Sequence, residues 1–262
     1  MRVIDSHAHL SSDVFDRDLD SVILRAKRVG VIAIINPTIT PKDFQVALKI
    51  TESYKGYVFP ALGLAPQILN KELLQEFLAA LRKFEGKYIA IGECGLDYHW
   101  VRGEREIEYM IKAFEEILEA VETFKKPLII HARSAHRKNA YVKIAEMLQT
   151  YSIKRAVFHA FFGSRSDIRV ILSGDWLISI PTVYVRRRDL WPLITSIPLS
   201  RMLVETDSPY LSPRKGVRNE PAYVVEVIKV IADIKNVDYE EVAEITTRNA
   251  MNFFGLKIRG MS

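Results

Sequence analysis

Short runs of β-branched and other apolar residues alternate with longer segments of helical period along the chain, and Gly, Pro, Asp or Ser marks each switch. Eight runs read as strands, near residues 3–6, 31–35, 57–61, 88–92, 128–131, 156–159, 177–180 and 202–205. Between them, stretches such as 41–54, 71–84, 104–124 and 135–151 place apolar residues three and four apart among charged ones, the pattern of helices that cover a sheet. Asn219 is expected to cap a helix starting at Glu220-Pro221, and Gly255 to close the last helix after Phe253-Phe254. Eight strand–helix units without a linker or tandem repeat predict one (β/α)8 TIM-type barrel domain over residues 1–262, with a doubly wound open sheet as the alternative.

A barrel of this kind gathers its chemistry at the carboxyl ends of its strands. The polar outliers fall there. His7 and His9 lie two apart behind the first apolar run and so face the same side of an extended chain. Glu93 follows the fourth run, His131 the fifth, His159 the sixth and Asp207 the eighth. Each alone has an ordinary reading as a structural histidine, a turn former or a helix cap. Together they place six potential ligands, including four of the six histidines, at one mouth.

Four imidazoles and two carboxylates without a thiolate suit Zn, Mn, Co or Ni and leave Mg possible. Six donors exceed one tetrahedral ion, and Glu93 is central in strand order, so the expected cofactor is two divalent metal ions about 4 Å apart with the carboxylate between them. Such a pair lowers the pKa of bound water to give hydroxide near neutral pH and polarises a phosphoryl or carbonyl oxygen. Asp207 is the candidate for orienting that nucleophile or moving its proton.

Composition narrows the partners. The 262 residues are 48% hydrophobic and 26% charged, and 37 basic against 32 acidic residues give a net charge of +5, which permits an anionic substrate. The single cysteine, Cys94, excludes an internal disulfide framework, and its alternation away from Glu93 points to a buried thiol. No apolar run approaches the roughly 20 residues of a membrane helix and no signal-peptide pattern opens the chain, so a cytoplasmic protein without a membrane partner is expected.

The motifs Asp5-Ser6-His7-Ala8-His9, Gly92-Glu93-Cys94-Gly95-Leu96-Asp97-Tyr98, His131-Ala132-Arg133, His159-Ala160-Phe161-Phe162-Gly163, Glu205-Thr206-Asp207-Ser208-Pro209 and Asn219-Glu220-Pro221 resemble those of the TatD-related deoxyribonucleases, a branch of the metal-dependent hydrolase barrels. The likeness runs to Thr247-Arg248-Asn249-Ala250. It implies that His7, His9 and Asp207 hold one ion and His131 and His159 the other, with Glu93 bridging. It also implies hydrolysis of DNA, often as a 3′ to 5′ exonuclease on single strands. Two departures stand out. Gly63-Leu64-Ala65-Pro66 carries Ala65 where members commonly have a histidine, and His99-Trp100 follows Tyr98 where a second aromatic and an arginine are frequent.

Around the mouth, Arg133, His99, Arg186 and Arg187 are candidate substrate contacts, Arg133 through its planar fork and the arginines of 186–188 as a basic patch on a phosphate backbone. Each has an alternative as a solvated surface residue. Trp100 is expected to pack over the mouth rather than to stack on a base. Asp5 and Glu205 are expected to orient ligand imidazoles, with Asp97 a weaker candidate for that role. An amide or ester hydrolase on a small molecule is the alternative function; many two-metal barrels of that kind bridge their ions with a carboxylated lysine where Glu93 stands here. A noncatalytic binding protein on the same fold would have lost a ligand, and none is missing.

Overall fold

All eight strands are parallel and each pairs with its successor in the chain, so the sheet order is the sequence order. A computed structural model describes residues 1–258; the last four residues of the expected domain lie outside the described residues. The strands are β1 (Val3–Asp5), β2 (Val31–Pro37), β3 (Val58–Leu62), β4 (Ala90–Asp97), β5 (Leu128–Arg133), β6 (Ala156–Phe158), β7 (Leu177–Pro181) and β8 (Met202–Glu205). The helices are α1 (Leu19–Arg28), α2 (Phe44–Ser53), α3 (Lys71–Lys83), α4 (Glu104–Phe124), α5 (Ala140–Thr150), α6 (Arg165–Ser173), α7 (Trp191–Ser196), α8 (Val224–Lys235) and α9 (Tyr239–Phe254). The seam between β1 and β8 is joined where Ser6 N donates to Val204 O at 3.0 Å, Asp207 N to His7 O at 2.8 Å and His9 N to Ser208 O at 2.7 Å. The result is the expected (β/α)8 barrel rather than an open sheet.

Two apolar cores follow from strand alternation. The larger lies between sheet and helices, with Ile34, Phe77, Ile91, Phe114, Ile130 and Ile178 among its buried members. The smaller draws on every strand, with Ile4, Ile35, Ala61, Ala90, Ile129, Val157 and Leu203 buried and Leu177 partly so, and fills the barrel interior. Phe253, Phe254 and Leu256 from the end of α9 pack against it. Arg155, just before β6, donates to Phe253 O, which sets this plug at the amino-terminal end of the barrel, away from the strand tips. Gly255 closes α9 in a left-handed conformation, φ 67°, as expected.

Three expected boundaries move. β4 runs on to Asp97 instead of stopping at Gly92, and its pairing with β5 shifts register between Ile91 and Cys94, so Glu93 sits on a bulge inside the strand. Gly92, where the strand was expected to end, and Gly95 are the residues whose φ of 131° and 153° permit that bend. Helix α5 starts at Ala140, because Asn139 Oδ1 accepts from Val142 N at 3.0 Å and caps it there. Asn219 is not a helix cap. Its Nδ2 is spent on Thr182 Oγ1, Thr206 O and Tyr210 O, tying the loop after β8 to itself and to the loop after β7.

Gly95→Ala tests the bend. A Cβ there would stand 2.0 Å from His131 O on a backbone that side chains rarely adopt, so strain and overlap together are expected to cost about 3 kcal/mol or more in urea unfolding. Gly56→Ala has positive φ but nothing within 4 Å, and should lose only about 1 kcal/mol. Equal losses at the two positions would remove the steric account of the bulge.

Candidate active site

The β4 bulge aims Glu93 into the barrel mouth, where the side chain is 5% exposed and its two oxygens face different histidine pairs. Oε2 lies 3.4 Å from both His7 Nε2 and His9 Nε2. Oε1 lies 2.7 Å from His131 Nδ1 and 3.4 Å from His159 Nε2. Gly63 on the neighbouring chain makes room: a Cβ on it would meet Glu93 N at 2.4 Å.

Asp207 completes the first group. Its backbone adopts φ 56°, a region that Asp tolerates better than most residues, and Oδ1 comes within 3.4 Å of His9 Nε2 and 3.7 Å of His7 Nε2. Donor atoms of His7, His9 and Asp207, and separately of Glu93, His131 and His159, gather within 4.8 Å of one another. A third such group joins His7 and His159, whose rings stack at 4.0 Å, to Glu205. The structure thus brings together all six residues expected as ligands.

Outer partners settle which imidazole nitrogens face inward. A carbonyl only accepts, so His9 Nδ1–H donates to Pro37 O at 3.2 Å and leaves Nε2 for the centre. His131 turns the other way: Nε2 donates to Asp97 Oδ2 at 2.9 Å, leaving Nδ1 toward Glu93. Asp97 also accepts from His99 N and Trp100 N through Oδ1 and from Gln67 Nε2 at 3.2 Å through Oδ2. Glu205 accepts from Ala160 N at 2.6 Å and stands 3.6 Å from His159 Nδ1. Asp5 contacts the backbone of His7, not its ring, and otherwise binds Thr206 N and Oγ1 across the barrel seam. The expectation for Asp5 and Asp97 is therefore reversed: Asp97 holds an imidazole and Asp5 holds strand ends.

Charge balance explains the protonation of this cluster. Burial alone would raise the Glu93 pKa, but His159, His131 and His7 around it hold it well below the carboxylate range. Burial disfavours a charge on His9, yet Asp207 and Glu93 outweigh that and lift it to about 10. His159 is carried well above its ordinary value by Glu93 and Glu205 against the same burial. His7 goes the other way, to about 3, because burial and the charge of His159 act together. Burial pushes the Cys94 thiol to about 12, so it is not activated as a nucleophile, and it pushes Asp5 to about 8 while His7 N and Thr206 engage both Asp5 oxygens.

A cleft of about 1040 Å³ opens above the cluster, lined by His9, Glu93, His131, His159 and Asp207 at its floor. Of the expected substrate contacts, Arg133 and Arg187 line it, whereas His99 and Arg186 do not. Arg186 Nε donates to Ser212 O, and His99 packs edge-on against Trp100. Gln67 went unnoticed in the sequence. It lines the cleft and brings Nε2 to 3.1 Å from His131 Nε2. Its signal was present: Gln67 is the one polar side chain in the run Gly63-Leu64-Ala65-Pro66-Gln67-Ile68-Leu69, two residues past the alanine that replaces the expected histidine.

The donor set fits divalent cations. Buried, converging imidazole nitrogens and carboxylate oxygens are the chemistry that borderline divalent ions select.

The profile of the family described as "TatD related DNase" matches residues 4–255. The chain is 32% identical over 263 residues to a Bacillus subtilis protein named "Uncharacterized metal-dependent hydrolase YabD", covering 96% of this chain and 98% of that one. It is 30% identical over 266 residues to a "3'-5' ssDNA/RNA exonuclease TatD" of Erwinia amylovora, covering 97% of this chain and 100% of the other. Among solved structures, the Escherichia coli TatD homologue YJJV superposes with a TM-score of 0.86 at 26% identity over 98% of this chain and 99% of that chain.

Cation binding should expel protons, because an imidazole ligates only when neutral. His9 and His159 hold protons at pH 7 when no cation is present. Titrating Mn²⁺ or Zn²⁺ into chelator-stripped protein in weakly buffered solution at pH 7 should acidify it by about one proton or more per protein, and apparent affinity should rise with pH toward 10. For the stripped protein the raised His9 contributes stability in full below about pH 6.5, lost as pH rises through about 10. Glu93, lowered, contributes above the carboxylate range and loses it in acid. Binding without proton release would contradict this picture.

Proposed function

Since the chain belongs to the TatD-related deoxyribonuclease family of metal-dependent hydrolases, we propose that it hydrolyses phosphodiester bonds of DNA, working from the 3′ end of single strands. His7, His9 and Asp207 would hold one divalent ion and His131 and His159 the other, with Glu93 shared between them. The observation that carries this reading is the division of the Glu93 oxygens between two histidine pairs, at 3.4 Å on one side and 2.7 and 3.4 Å on the other. The Erwinia relative's name supplies the polarity and the single-strand preference.

When bound, two such ions supply Lewis acidity toward a phosphoryl oxygen and a water acidic enough to attack near neutral pH. The chain's own residues do the rest. Asp207, 8% exposed at the cleft floor, accepts the proton of the attacking water while Glu93 stays ionised. The water oxygen bonds to phosphorus, the bond from phosphorus to the 3′ oxygen of the preceding nucleotide breaks, and the proton passes from Asp207 to that oxygen. Arg133 makes no ion pair among the described residues and is free to take a phosphate with its fork; Arg187 does so in competition with Asp189, which it binds at 2.6 Å. Asp97 keeps the His131 ring turned so that Nδ1 faces Glu93.

Cleavage of a 5′-labelled single-stranded oligonucleotide with Mg²⁺, Mn²⁺, Zn²⁺ or chelator tests the proposal, with Glu93→Ala purified in parallel. Stepwise shortening that needs metal and vanishes in the variant is expected. Asp207→Asn should fold and bind the strand but lose about 10²- to 10⁴-fold in turnover. His131→Ala should retain less metal by elemental analysis, its loss falling on one of the two ions. Bound metal with no cleavage of any oligonucleotide would overturn the DNA reading and turn attention to small phosphodiesters, esters and amides.

A further inference from the structure

Among the described residues, nine large hydrophobic side chains are exposed, and three of these are aromatic: Trp100 at 62%, Tyr210 at 52% and Phe162 at 41%. All three line the cleft above the histidine cluster. They come from separate loops after β4, β6 and β8, so sequence neighbourhood does not group them. The expectation that Trp100 packs over the mouth fails, since most of its surface faces solvent. Aromatic surface left in water forgoes the free energy of burial, and finding it only around this opening points to a ligand with flat apolar faces.

Each ring stands on a fixed base. Trp100 N donates to Asp97 Oδ1 at 3.1 Å, the carboxylate that also holds His131, and the Arg133 guanidinium lies 5.9 Å from the Trp100 ring centre. Phe162 N donates to Tyr141 Oη at 3.2 Å, and its ring lies 6.3 Å from that of Tyr184. Tyr210 N donates to Asp207 O at 2.8 Å, and its ring meets His9 edge-on at 5.9 Å. The rim therefore carries ring faces together with the cationic forks of Arg133 and Arg187. That is the complement of an unpaired strand, whose phosphates seek the arginines and whose bases expose π faces; a duplex keeps those faces stacked inside.

We propose that Trp100, Phe162 and Tyr210 form a stacking rim that grips unpaired bases next to the bond being cut, so that the strand is selected through its bases as well as its backbone. This rests on the nuclease reading above and assigns the part of that site which binds substrate.

The test compares two single-stranded oligonucleotides of equal length and backbone charge, one intact and one with abasic sites in place of the nucleotides next to the 3′ end. The whole chain is loaded with Mn²⁺. The wild-type protein should show a KM about tenfold or more higher for the abasic strand. Trp100→Ala combined with Phe162→Ala should raise KM on the intact strand by about tenfold or more with little change in kcat, and should no longer separate the two strands. Trp100→Phe should restore KM while abolishing the quenching of tryptophan fluorescence by the intact oligonucleotide. An unchanged KM in the double variant, or a wild-type protein indifferent to the missing bases, overturns the rim while leaving the nuclease standing. A wild-type protein that cuts and binds neither strand removes the nuclease reading first and the rim with it, including the case where an apolar peptide is the true occupant.

Discussion

The site is organised around a buried carboxylate that cannot remain there alone. An ionised group withdrawn from water costs several kcal/mol unless positive charge surrounds it. Glu93 is 5% exposed and kept ionised, and every close polar neighbour is an imidazole. In the absence of a cation the protons on His9 and His159 meet that demand. Cations do so with stronger charge at shorter range, and the same geometry that makes the empty cluster basic makes it a receptor for metal.

That demand reaches back into the backbone. To bring Glu93 inward, β4 bulges at Gly92 and Gly95 against β5, and Gly63 of the chain following β3 must lack a side chain. Asp207 adopts its left-handed conformation across the seam from His7, tied to it by one backbone hydrogen bond. Beneath, Asp5 clamps Thr206 and the His7 amide, so barrel closure and ligand placement share the same bonds. The opposite end of the barrel is stoppered by Phe253 and Phe254 and holds none of the six candidate ligands.

How much of this was legible in the chain varied with the kind of information required. Alternation and apolar runs located all eight strands, because a parallel strand covered on both sides must be apolar throughout. The six candidate ligands stood out because a histidine or carboxylate at the end of such a run breaks its pattern. The course of β4 was hidden, since glycines that permit a bulge look the same in sequence as glycines that end a strand. Asp97 and Gln67 were hidden for another reason. Their importance lies in one shared contact, Asp97 Oδ2 accepting from His131, 34 residues away, and from Gln67, 30 residues away, which no local period encodes.

Chemistry and recognition meet at Asp97. Through one oxygen it turns His131 toward Glu93, and through the other it fixes the loop that raises Trp100 beside Arg133. The places where the sequence departed from the family resemblance adjoin it: Gln67, two residues past Ala65, donates to its Oδ2, and the His99 and Trp100 amides donate to its Oδ1. The donors themselves do not depart. A carboxylate that holds one end of the ligand set and one side of the rim lets the rim vary while the reacting centre stays in register.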